Sequence, residues 1–312
     1  MKNKSLAHRI WEQKELQMMV IPGIIFIIIF FYLPIYGLVI AFQNYQIGDP
    51  FISFKGETVW VGLKHFKTFV SDPSFMLIMR NTFAINILRL LIVFPAPIIF
   101  ALMLNEIGGI KFKKFVQSVS YLPHFVSWVI VAGIITQMLS IDGSINNILL
   151  NLKLIDKPIM FMGDSKYFWY ILIFSDLWKE TGWSSIIFLG AMAAIDPELY
   201  DVANIDGANR WQKITNITLP SITPTIIIVL LLTIGSMFMY GYEPIMQLTN
   251  NLNNKLLLDT AEIIETHVLR MGIMLGQYSY ATAIGLFRSV ITVSILSAAN
   301  YICGKKTGSS LW

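Results

Sequence analysis

The stretch SDLWKETGW (175–183) sets three ionisable side chains and an indole into a run that is otherwise apolar. Lys179, Glu180 and Trp183 follow Asp176 by three, four and seven positions, so a helix carries all four along one face. A charge at the centre of a membrane helix costs roughly 2.5–3.5 kcal/mol, which drives such groups toward an interior, a wet cavity or one another. Carboxylates, ammonium groups and amides bind hydroxyls, and a flat indole covers apolar C–H faces, so the face suits a sugar. Asn86 and Arg89, three apart, offer the same chemistry in another apolar run, and Trp128, Arg288, Tyr240, Tyr242 and Glu243 are further candidates for the wall of a pathway. The competing reading is structural. Asp176 can pair locally with Lys179 or Glu180, Arg89 and Arg288 can pair across helices, and Trp128, Trp178 and Trp183 can pack or sit at an interface.

Enzymatic signatures are absent from the sequence. There is no GxxxxGK[ST] phosphate loop, and the Gly304-Lys305 pair lacks the upstream glycine, so the chain is not expected to hydrolyse ATP. Neither HExxH nor GxSxG occurs, which leaves an intramembrane enzyme without a catalytic pair. The histidines, His8, His65, His124 and His267, lie far apart, and the single cysteine, Cys303, excludes an internal disulfide. No cofactor or metal is implied.

The elements that must position these residues are membrane spans. The chain has 312 residues, 55% of them hydrophobic and only 13% charged, with a mean hydropathy of +0.63. That is the composition of an integral, all-α membrane protein. Six runs are long enough to cross a bilayer, at about 18–42, 81–105, 119–140, 168–195, 221–243 and 278–303, and together they form one transmembrane domain over 1–312. The first run is too long for a cleaved signal core and is read as a retained span. Prolines inside the runs (Pro22, Pro34, Pro95, Pro97) are tolerated where neighbours satisfy the freed carbonyls.

A net charge of +4 comes from short basic clusters beside the spans, a sign of topology and not of nucleic-acid binding. With both termini in the cytoplasm, the short inner segments hold Lys2, Lys4, Arg9, Lys14, Lys111, Lys113, Lys114, Arg210, Lys213, Lys305 and Lys306, a higher density than the long outer loops that contain Lys55. The outer loops 44–80 and 244–277 either cap the outer mouth, dock a soluble partner or pack on their own spans.

One inner segment, about 196–220, has a pattern of its own. Asp196-Pro197-Glu198 is a helix start: a capping aspartate, a proline at the first position, and an acid at the positive end of the dipole. Leu199, Val202 and Ala203 make a small apolar face beside Asp201, and Gly207 can end the helix in a left-handed conformation. A second short helix through Trp211 and Ile214 is expected, with Pro220 opening the next span. Two such helices are too short to stand alone in water, so they lie on the membrane face or project into a groove of a cytoplasmic partner.

Asp201-Val202-Ala203, Gly207 and Ile217-Thr218-Leu219-Pro220 resemble the coupling loop of ABC importer permeases, Glu-Ala-Ala, three residues, Gly, nine residues, Ile-x-Leu-Pro. Aspartate replaces the glutamate and valine the first alanine. NTFAINILRLLIVFPAPIIFALMLNEI (81–107), YLPHFVSWVIVAGI (121–134), IDGANRWQKITNITLP (205–220), GLFRSV, AAN and the terminal GSSLW are similar to permeases of the polysaccharide and complex-carbohydrate branch. The resemblance implies a type I importer permease fold of six helices with a short cytoplasmic coupling helix pair, in the cell membrane. It also implies a second permease, an ATPase dimer that binds ATP and Mg, an extracytoplasmic solute-binding protein and an oligosaccharide substrate. Coupling would fall to Asp201, Val202, Ala203, Gly207, Ile217, Leu219 and Pro220. A peptide or amino-acid importer, or a self-sufficient secondary transporter, is the alternative. The latter would be expected to show internal repeats.

Overall fold

The structure, a computed structural model, describes residues 13–51, 59–239 and 241–312. Tyr240, and Lys2, Lys4, Arg9 and Lys55 of the charge count, lie outside the described residues. In chain order the helices are α1 (Lys14–Phe42), α2 (Lys64–Val70), α3 (Phe75–Asn105), α4 (Ile110–Phe125), α5 (Trp128–Met138), α6 (Ser144–Asn151), α7 (Ser165–Ala193), α8 (Pro197–Ile205), α9 (Arg210–Ser236), α10 (Tyr242–Leu248), α11 (Leu258–Ala261), α12 (Ile264–Leu269) and α13 (Tyr278–Thr307). Among the described residues the extended pairing is a single isolated bridge, Gln43 with Trp60.

Four helices, α1, α3, α9 and α13, are long and apolar enough to cross a membrane, and α4 with α5 makes a fifth if the pair is one broken span. Helix α7 has 29 residues but carries Asp176, Lys179 and Glu180 close together.

Two segments differ from the runs expected. The run 119–140 is bent by 96° between α4 and α5, because Val126 and Ser127 adopt extended dihedrals just after Pro123 and break the i→i−4 ladder. Residues 210–236 form one continuous helix in place of a short helix followed by a span.

The prolines explain that continuity. Pro34, Pro95 and Pro220 each come two residues after a wide, π-type turn, Ile28–Tyr32, Arg89–Val93 and Ile214–Thr218. In each case the residue before the proline donates to the carbonyl five residues back: Leu33 to Ile28, Phe94 to Arg89, Leu219 to Ile214. Widening the turn removes the clash of the proline ring with the i−4 carbonyl, so the helix passes the proline without ending.

The chain divides into two compact units, Met1–Asp72 with Val268–Phe287, and Pro73–His267 with Arg288–Trp312. In the first, α1 is exposed along nearly all of its apolar length, as a lipid-facing helix must be. The buried Gln43 holds the bridge region, donating to Phe51 O (2.7 Å), while Phe69 packs edge-on against Phe287.

In the second unit α7 is the helix against which α3, α4, α9 and α11 pack. Phe168 and Leu172 on its first half join a core with Ile85, Ala132, Ile245 and Leu257. Phe188 and Met192 on its second half join Ala101 and Ile222. Residues 249–267, part of a loop expected to cap, dock or pack, fold onto α3 and α7. Asn81 Nδ2 donates to Asp259 O and Glu262 O (3.0 Å each), Ile264 N donates to Thr82 Oγ1 (3.0 Å), and Trp169 Nε1 donates to Thr260 O (2.8 Å).

Candidate functional site

Helix α7 presents two stripes where the sequence suggested one. Asp176, Glu180, Ser184 and Phe188, four apart, line a cavity of about 760 Å³, together with Asn86 and Arg89 of α3, Trp128 of α5, Thr233 and Ser236 of α9, and Gly241, Tyr242 and Glu243. Lys179, Gly182 and Trp183 turn instead toward α4. A rotation of 100° per residue separates positions 179 and 183 from 176 and 180 by enough to put them on different neighbours.

Arg89, Asp176 and Glu180 of the cavity wall each have a partner. Arg89 Nε donates to Asp176 Oδ2 at 2.7 Å, joining α3 to α7, and Nη2 reaches Gly241 O at 3.4 Å. Glu180 Oε2 is 2.8 Å from His124 Nδ1. Gly241 has a φ of +116°, which favours glycine, and the absence of a Cβ leaves room for the Arg89 guanidinium. Asn86 is buried and donates through Nδ2 to Thr82 O (2.8 Å), while its Oδ1 has no partner among the described residues. Arg288 lies elsewhere, 3.7 Å from Glu265.

Of the expected pathway residues, then, Asn86, Arg89, Trp128, Asp176, Glu180, Tyr242 and Glu243 converge, Lys179 and Trp183 lie behind the wall, and Arg288 pairs away from it. The sequence reading missed Ser184, Thr233 and Gly241. Ser184 was findable as the next step of the 176, 180 spacing. Thr233 bonds Val229 O of its own helix (2.7 Å), which is ordinary for a threonine inside a helix and carried no signal.

The segment 196–220 forms as its caps dictate. Asp196 accepts from Glu198 N (3.0 Å), Pro197 begins α8, Gly207 ends it with φ +75°, and Asn209 and Gln212 form a reciprocal capping box. Tyr200 OH meets Thr218 Oγ1 at 2.8 Å and Lys213 Nζ meets Asn204 Oδ1, stapling α8 to the start of α9. Leu199, Val202 and Ile205 are exposed along one side of α8, with Asp201 exposed beside them. Gly207 and Pro220 are exposed, and Ala203, Ile217 and Leu219 half-buried.

No family model matches the chain. It is 41% identical over 304 residues to the polygalacturonan/rhamnogalacturonan transport system permease protein YteP of Bacillus subtilis (strain 168), covering 97% of this chain and 92% of that protein. Protein LplB of the same organism is 42% identical over 293 residues, covering 94% and 89%. The chain belongs to the permease family of carbohydrate ABC importers. The permease also superposes on a chain of a bacterial ABC transporter involved in import of the acidic polysaccharide alginate, with a TM-score of 0.87, 37% identity and coverage of 97% of this chain and 100% of that one. A second crystal structure of an alginate transporter, in complex with an alginate pentasaccharide-bound periplasmic protein, matches with a TM-score of 0.88 and 37% identity, covering 99% and 100%. As a permease of this family the chain is a multi-pass, non-catalytic subunit, and ATP hydrolysis belongs to a separate subunit.

Proposed function

We propose that this permease imports an oligosaccharide or polysaccharide fragment by alternating access, with its cavity as one half of the pathway and a second permease supplying the other half. The observation that carries the reading is the unpartnered, buried Asn86 Oδ1 in a wall that also holds Trp128, Glu180 and Glu243. An amide oxygen and two carboxylates accept from sugar hydroxyls, and the indole covers a pyranose face. In this reading six helices span the membrane, with α7 as the sixth. Its charges are tolerated because they pair or face the cavity. Both termini lie in the cytoplasm.

The segment 196–220 is the coupling element toward the ATPase, which binds ATP and Mg. The exposed Leu199, Val202 and Ile205 fill a groove on that partner, and Asp201 faces one of its basic groups. Delivery comes from an extracytoplasmic solute-binding protein. The test is reconstitution in proteoliposomes with the partner permease, ATPase and binding protein. Oligosaccharides are expected to stimulate ATP hydrolysis and to accumulate, and peptides are not; the opposite selectivity would remove the sugar assignment.

A further inference from the structure

The bend between α4 and α5 leaves few backbone donors for the carbonyls at the end of α4, where Pro123 O accepts from Val126 N at 3.2 Å. A helix end leaves its last carbonyls without intrahelical donors, and in an apolar setting each unsatisfied group costs several kcal/mol. Here one side chain from a different helix meets them. Lys179 is 4% exposed, and its Nζ donates to Pro123 O at 3.3 Å, His124 O at 2.5 Å and Val126 O at 2.8 Å. An ammonium has three donors and no acceptor, so these three carbonyls saturate it.

The same place is clasped a second way. His124 stacks on Trp183 (centroids 4.8 Å apart, planes 4° apart) while its Nδ1 meets Glu180 Oε2, and Phe125 packs edge-on to Trp183. Helix α4 can approach so closely because Gly182 has no side chain: a Cβ there would overlap Ser120 O. YLPHFVSW and DLWKETGW, 48 residues or more apart in the chain, thus form one joint.

Two members of this joint face the cavity. Trp128, the first residue of α5, has its ring centroid 5.5 Å from Lys179 Nζ, and both Trp128 and Glu180 line the cavity. We propose that Lys179 is a positioning residue: by occupying the carbonyls freed at the break, its ammonium holds the α4–α5 span bent, and the bend sets Trp128 into the cavity wall beside Glu180. Without the cation the freed carbonyls are satisfied most simply by continuing the helix, and straightening carries Trp128 away from Glu180.

The bend can be read directly. In the assembled transporter, with Cys303→Ser, nitroxide labels at Phe115→Cys on α4 and Ile134→Cys on α5, both exposed in the permease, give a distance across the break without any substrate present. A straight helix of nineteen residues spans about 28 Å, and the bent pair is shorter. Lys179→Met, or Lys179→Gln should the Met variant fail to assemble, is expected to lengthen and broaden the distance toward that value. The saccharide concentration for half-maximal ATPase stimulation should rise at least fivefold, with basal hydrolysis unchanged. Lys179→Arg, which keeps a cation and several donors, is expected to restore both. A parent-like distance in the Met or Gln variant overturns the proposal. Because that distance is measured in the absence of sugar, its result stands apart from the choice of substrate.

Discussion

Gly182 is buried where α7 meets α4, and a Cβ there collides with backbone, the carbonyl of Ser120, not with a mobile side-chain tip. Gly182→Ala therefore forces the two helices apart. The cost is expected to be about 1–3 kcal/mol, seen as a lower thermal midpoint of the purified complex. Gly190, on the same helix, has nothing within 4 Å of a built Cβ, so Gly190→Ala is the control and is expected to leave the midpoint unchanged or raise it. Equal losses in both variants would mean that the contact has no energetic weight.

Glu265 makes a separate residue-scale case, since it lies in α12, outside the spanning helices. Burial raises its carboxyl from 4.5 to about 7, against smaller opposing effects of a backbone hydrogen bond and Arg288. Because the folded value lies above the unfolded one, the group's contribution is full below about 4.5 and is lost as pH rises through about 7. Stability of the purified complex should accordingly fall between about pH 5 and pH 8, and Glu265→Gln should flatten that slope. An identical slope in the Gln variant would assign the pH dependence to another group.

At the scale of elements, α8 is a two-turn helix with Leu199, Val202 and Ile205 uncovered on one side. Its hold on the rest of the permease runs through Tyr200–Thr218 and Lys213–Asn204, both reaching the first turns of α9. In the proposed coupling, a push on α8 would reach a continuous helix that runs from Arg210 to Ser236 and ends among the cavity residues. The wide turn before Pro220 is what makes that helix continuous. Gly207 sits at φ +75°, which proline cannot adopt. Gly207→Pro and Asp201→Lys are each expected to reduce saccharide uptake at least tenfold, with insertion in the membrane intact and ATP hydrolysis no longer responding to substrate. Normal uptake in both variants would show that α8 is a passive loop.

For the whole molecule, the cavity wall is built from one chain, and the engine is a separate subunit. The permease purified alone and placed in liposomes is expected neither to hydrolyse ATP nor to move labelled oligosaccharide above the rate of protein-free vesicles. Flux down a gradient by the lone chain would favour a channel or secondary transporter.

Apolar length, proline and charge placement made much of this legible beforehand. The membrane class, the caps at Asp196 and Gly207 and the residues Asn86, Arg89, Asp176 and Glu180 follow from local pattern, because burial in lipid and helix-end chemistry act over a few neighbouring residues, while the family was legible only as a resemblance to known permeases. What local pattern could not decide was which of several equally apolar neighbours each side of a helix would meet. A 3.6-residue period assigns faces, not partners, so Asp176 and Lys179 looked alike until α3 met one and α4 the other. The 96° break at Val126–Ser127 was hidden for the same reason: its carbonyls are satisfied by a lysine 53 residues or more further along the chain, and only tertiary packing brings that cation to them.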